Sequence, residues 1–278
     1  MLSPGKAYWL TGSLLFLTFA WLAPSGWAQP NLFFGPLSDH TQFGIRFMHP
    51  HLSDDFDLKA LTGTYDFSFA FPLGTAWNLV GTVPFVKVAI ENQDSSNFGN
   101  IYVGLQTRQP EEGARTTWFG FGAFLPTAAR DDESTLLFGA LTNYHDVAKY
   151  IPEYLTLVMT PNYRQRVGSS GVLGLEVGPQ VLIPTGGEGD ELEIFLQYGV
   201  VAGFQSPSLS LLAEFLGIFM MTIDDIDMGE RFVNSVQARA ATRIGLFRPS
   251  LFYRLPLDDS QQEFLDSSLG VQLEVTLK

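Results

Sequence analysis

Residues 61–71 read LTGTYDFSFAF. Leu61, Gly63, Tyr65, Phe67, Phe69 and Phe71 share one parity, and Thr62, Thr64, Asp66, Ser68 and Ala70 share the other. Successive side chains of a strand point to opposite faces, so the pattern predicts a strand with one aromatic face and one small, polar face. In a soluble sandwich the aromatic face is the core and Asp66 meets water. In a membrane barrel the aromatic face meets lipid and Asp66 lies in the lumen.

The same period recurs. Twelve alternating segments are read at 40–48, 60–72, 76–90, 99–108, 116–126, 154–166, 171–183, 191–204, 209–221, 234–245, 247–257 and 268–278. In 154–166, Leu155, Leu157, Met159 and Tyr163 oppose Thr156, Thr160, Asn162, Arg164 and Arg166. Two segments are less regular: Trp77–Ile90 is apolar on both faces, and Leu209–Met221 is apolar apart from Ser210 and Glu214. The connections alternate between short (PLGTA, VGSSG, SPS, GLF) and long, the longest being 127–153. Short periplasmic turns and long external loops are the signature of an up-and-down outer-membrane barrel, and a soluble Greek key has no reason to alternate so. The expectation is an all-β, antiparallel transmembrane β-barrel of about twelve strands, with one short helix in a long external loop. The aromatic face of 61–71 then points to lipid. Closure also removes the open edges that so many strands would expose.

Composition narrows the picture. Charged residues are only 16% of the chain, against about 25% in soluble domains. No run of 18 apolar residues follows residue 30, so the pattern excludes a helical membrane protein and leaves a barrel open. The net charge of −13 argues against nucleic acid as a partner, because phosphate binding needs a basic footprint. Cysteine is absent, which removes disulfides, thiolate metal sites and cysteine nucleophiles. Residues 1–28 carry Lys6, an apolar stretch over 7–23 and Gly26 and Ala28 at a cleavage site, the pattern of a secretory signal peptide. Residues 29–278 are then the barrel, placed in the outer membrane of a Gram-negative envelope.

The chain resembles Gram-negative outer-membrane barrels in general. It also shares a fainter likeness with the barrel family associated with the meta-pathway of phenol degradation. The residues that carry it are FGNIYVGLQTR (Phe98–Arg108) and FGFGAFLPTAARDDE (Phe119–Glu133), with VGPQVLIPTGGEGDE (Val177–Glu191) repeating the shape. The resemblance implies a channel for small organic molecules. Partners expected with such a barrel are outer-membrane lipid and lipopolysaccharide, the barrel-assembly machinery and a small-molecule solute. One departure is the ending Thr276-Leu277-Lys278, where such barrels usually carry an aromatic residue used in assembly.

Parity places Arg46, Arg108, Arg164, Arg166, Arg239, Arg243, Arg248 and Arg254 inward, eight of the eleven arginines. The inward acids are fewer: Asp66, Glu176, Glu191, Glu193, Glu214 and Glu274. These residues are candidates for lining a pore, or for cross-bracing a narrow barrel wall. Charge on a lipid face costs about 2–4 kcal/mol at mid-depth, so part of this sorting is forced. In the long connection, Leu137, Leu141, Tyr144, Val147 or Ala148, and Ile151 have helical spacing, with Asp131 or Asp132 as a cap and Pro152 as the stop. Such a helix folds into the mouth as a constriction or plug, or lies across the rim. His49, His51, Asp54, Asp55 and Asp57, and Asp224, Asp225, Asp227 and Glu230, are ligand types without an established metal spacing. No metal or other cofactor is expected. His40 lies at the start of the first strand, and His49, His51 and His145 fall in external loops without a G-x-S-x-G nucleophile motif. The reading is a non-enzymatic, narrow channel for passive passage of small polar, anionic or aromatic solutes. The alternatives are a plugged barrel acting as receptor or structural component, and an outer-membrane hydrolase.

Overall fold

The computed structural model describes residues 40–53, 58–90, 93–107, 114–130, 133–186, 191–223 and 227–277. The signal-peptide reading, Arg108, the capping residues Asp131 and Asp132, and the loop acids Asp54, Asp55, Asp57, Asp224 and Asp225 lie outside the described residues.

Alternation of apolar and polar positions yields strands β1 (Thr41–Leu52), β2 (Gly63–Leu73), β3 (Trp77–Ile90), β4 (Gln93–Phe98), β5 (Tyr102–Thr107), β6 (Arg115–Phe124), β7 (Tyr154–Val167), β8 (Gly171–Pro184), β9 (Glu193–Gln205), β10 (Leu209–Met220), β11 (Phe232–Thr242), β12 (Phe247–Pro256) and β13 (Leu265–Leu277). Each pairs antiparallel with its neighbour, β1 pairs with both β2 and β13, and β2 pairs with β3. The sheet is therefore a closed barrel of twelve strands. The thirteenth, β4, is short and pairs only with the upper half of β3, while β5 takes the lower half. The segment read at 99–108 corresponds to β5, whereas β4 falls within 91–98, which the alternation leaves as a connection. The break between β4 and β5 falls at Gly99–Ile101, where the backbone turns inward to meet the longest connection.

Parity decides which face is inside. Phe67 is 45% exposed and Asp66 only 5%. Leu157, Leu175, Phe215, Leu251 and Val271 are likewise exposed on the outer wall, an apolar belt suited to lipid. The aromatic face of residues 61–71 is the outside of the protein.

The inner wall is shaped by glycine where an aromatic ring must lie flat along it. Tyr102 points inward, and its ring covers Gly104 on its own strand and Gly122 on β6, where a Cβ would collide with the phenol. That is the physical content of the Gly-spaced strands: Tyr102 joins Val80, Trp118, Phe124, Val158 and Ala148 in a cluster inside the barrel.

Two short helices stand at the long-loop end, α1 (Glu133–Thr142) and α2 (Asp259–Gln262). The single helix expected through Ile151 is broken. α1 stops at Thr142, and a 3-10 turn follows over Tyr144–Lys149. The expected face is also corrected. Leu137 and Leu141 are exposed, and the buried positions are Thr135, Leu136, Gly139 and Thr142. The lumen is partly polar, so it accepts threonines. Gly139 lets α1 approach β3 closely, since a Cβ there would lie 2.6 Å from Val86 and 2.8 Å from Tyr150.

Candidate functional site

The lumen is the candidate site, and residues 143–151 of the longest connection pack into its upper half. The two ends of the connection are held by the Pro-Thr loop starts. Thr127 Oγ1 donates to Gly99 O at 3.0 Å and accepts from Ile101 N at 2.9 Å. Thr185, in the second such motif, donates its Oγ1 and its N–H to Glu153 O, both at 2.8 Å. Asn100, at the β4–β5 break, is buried and clamps the middle. Its Nδ2 donates to Ala148 O at 3.0 Å and Ile151 O at 2.6 Å, and its Oδ1 accepts from Ala128 N at 3.0 Å.

Inside, the loop completes a charge network on the wall. Arg46 on β1 and Asp66 on β2 are register partners, and Arg46 Nε donates to Asp66 at 2.9 Å. Asp146 of the loop accepts from Arg46 Nη2 at 2.8 Å and from Lys149 Nζ at 2.7 Å, and Lys149 also donates to Asp66 at 3.0 Å. Two cations and two carboxylates thus alternate and cancel. Asn143 donates to Asp146 at 2.8 Å and accepts from Arg254 at 2.9 Å. Arg254 also donates to Gln237 at 3.2 Å, and Gln237 donates to Glu214 at 2.8 Å. One chain of hydrogen bonds runs from β10 through the loop to β2. Asn143 stands where the helix breaks, and both its amide groups are used there.

Burial would raise the Asp146 carboxyl, but Lys149 and Arg46 outweigh it and hold it well below the usual carboxylate range. Burial pushes the His145 imidazole well below its ordinary value, and Arg254 adds to the effect against Asp146. His145 Nε2 lies against Ser235 Oγ. Sequence reading places His145 in an external loop, and that loop folds inward, leaving His145 buried within the barrel. His49 and His51 sit on the upper end of β1, His49 bonded through Nδ1 to Thr62 O at 2.7 Å.

The loop also has an apolar side. Val147 and Ile151 pack on Leu182, Phe195 and Ile218 of β8, β9 and β10. Between loop and wall, a cavity of 10 Å³ is lined by His145, Asp146, Gln197, Leu216 and Arg254 among others, room for about one water.

The remaining inward residues lie lower. Arg164 is buried and Arg166 exposed near the end of β7. Arg243 follows β11, and Arg248 starts β12; both are half-buried. Arg239 donates to Gln272 at 3.1 Å and Ser250 at 3.3 Å. Glu176 accepts from Gln197 and Glu274 from Gln42, both at 3.1 Å. Sequence reading missed Asn100, Asn143, Asp146, Lys149 and Gln237. A signal for the loop residues was present: NYHDVAK is a polar cluster inside an apolar, helix-spaced segment. Among the described residues, no group of three or more His, Cys, Asp or Glu is arranged to hold a metal ion.

No family model matches the chain, and no curated protein matches it. Solved structures do. An outer-membrane channel from Pseudomonas putida F1 superposes with a TM-score of 0.66 at 11% identity, over 90% of this chain and 100% of that one. A KdgM porin superposes with a TM-score of 0.53 at 7% identity, over 85% of this chain and 99% of that one. With its closed ring of twelve strands, apolar outer belt and polar lumen, the chain has the fold of a Gram-negative outer-membrane β-barrel.

Proposed function

We propose that this barrel is a narrow, non-enzymatic channel for passive passage of small polar, anionic or aromatic solutes, with the 125–153 loop as its constriction. The observation that carries the reading is the gathering of Arg164, Arg166, Arg243 and Arg248 at the short-turn end of the lumen. The lower end is rich in fixed positive charge, which raises the local anion concentration in a narrow passage. The fold shared with a channel and a porin supports the same class. Outer-membrane lipid, lipopolysaccharide and the assembly machinery are its partners in this reading.

A second reading, a plugged barrel, is favoured by the tightness of the loop against the wall. The hydrolase alternative gains little from the Ser235 and His145 contact. That pair is a nucleophile and base in type, but no described group bonds His145 Nδ1 to orient the ring. Planar-bilayer recording of the purified full-length barrel tests the proposal. The channel gives steady conductance. Silence in the wild type and in a loop-loosened variant leaves the plugged barrel.

A further inference from the structure

Arg254 on β12 is 2% exposed, and among the described residues no ion pair includes it. Its Nε donates to Gln237 and its Nη1 to Asn143, both neutral acceptors, and its Nη2 takes no partner among the described residues. Gln237 stands between Arg254 and Glu214, accepting from the one and donating to the other. The cluster of Arg46, Asp66, Asp146 and Lys149 is neutral in itself, so it lends Arg254 no surplus negative charge. A buried cation without a counter-charge against it is costly. The small cavity between loop and wall borders this guanidinium, with His145 of the loop and the apolar Leu216 of β10 also in its lining. Asp146 borders it too, its carboxylate held by Arg46, Lys149 and Asn143. His145 is 5% exposed, and its Nδ1 has no hydrogen-bond partner among the described residues. With Nε2 accepting the Ser235 hydroxyl proton, the neutral ring carries its own proton on Nδ1. One unused donor from the wall and one from the loop thus meet at a single space. Its 10 Å³ admits one body about the size of a water, which excludes carboxylates and phosphate.

We propose that this cavity is a binding site for one small monovalent anion of the halide type, held between Arg254 Nη2 and His145 Nδ1–H. A water there satisfies the two donors and leaves the buried charge, whereas a halide satisfies both at once. Leu216 suits the apolar side of such a weakly hydrated ion. Because Arg254 belongs to the wall and His145 to the loop, the bound ion fastens the loop in the lumen. The inference goes beyond the channel reading and holds for an open or a plugged barrel.

Crystals of the full-length barrel grown in sodium bromide test it by anomalous scattering. A bromide peak should lie within hydrogen-bond reach of both Arg254 and His145. A water in the cavity, or bromide on the surface only, overturns the site. In solution, the detergent-solubilised barrel should broaden the chloride-35 resonance beyond protein-free micelles, and bromide should reverse the excess. Arg254→Gln should lose the excess by removing the charge. Leu216→Phe should lose it by filling the space while every charge stays. Heat-dependent gel mobility checks that each variant is folded, and the wild-type crystal decides if both misfold. Full broadening in a folded Leu216→Phe variant puts the ion elsewhere and overturns the site. Bilayer recording separates the two ideas: a silent barrel with halide in the cavity keeps the site and loses the channel, and a conducting barrel with water there does the reverse.

Discussion

Asp146, in the loop, accepts a hydrogen bond from Arg46 on β1 at 2.8 Å, across 100 residues of chain. Asp146 also takes Lys149, so removing its charge takes one of the two carboxylates from the cluster that holds Arg46 and Lys149. Breaking a buried pair from one side typically costs about 3–5 kcal/mol. Asp146→Asn should therefore loosen the loop and raise single-channel conductance in planar bilayers, together with proteolysis within 125–130. A variant with wild-type conductance and wild-type protection would show that the network does not hold the constriction.

Proton binding should act on the same loop. His145 is neutral in its buried site with its pKa depressed, so the undocked loop binds more protons below the ordinary histidine value of 6.5. Docking is at full strength above that value and weakens as pH falls below it, down to the depressed value. Asp146, also depressed, works in the same sense at more acid pH, below its ordinary 3.8. Open-state occupancy should rise between pH 7 and pH 5, and His145→Gln should flatten the rise. The same pH response in both proteins would assign it to other groups.

Selectivity follows from the lower arginines. In a salt gradient the reversal potential should lie toward anions despite the net charge of −13. Arg164→Gln with Arg166→Gln should reduce that shift. Cation selectivity unchanged by the double substitution would leave the arginines as wall bracing.

The two faces of β2 should respond oppositely to charge. Phe67 points outward and Ser68 inward, beside Gly44. Phe67→Arg should lower membrane-inserted stability by about 2–4 kcal/mol, while Ser68→Arg inserts normally. Equal urea midpoints in lipid vesicles would contradict the lipid-facing assignment.

Chain direction sets which end faces the medium. A cysteine at Gly229, where a side chain meets open space, should label on intact cells, and one at Ser169 in the 168–170 turn should not. The reverse pattern would invert the barrel.

Sequence alone determined the barrel wall, and the reason is local. A strand buries or exposes residues with a period of two, so alternation at 61–71 or 154–166 reports faces without knowledge of any partner. The inward parity of Asp66, Glu176 and Arg254 came the same way. The end of the lumen that holds Arg164, Arg166 and Arg248 followed from alternating loop lengths. Only tertiary structure decided what fills the lumen. Asn143, Asp146 and Lys149 belong to a loop whose helical period predicts one continuous helix, yet the helix yields at Asn143 because contacts to Arg254, Arg46 and Asp66 come from strands up to 111 residues away. Such contacts have no period. Beside the polar NYHDVAK cluster, they leave a trace at Trp77–Ile90 and Leu209–Met221, where apolar residues on both faces broke the alternation: Val86 and Ile218 face inward and are buried because the loop packs on them.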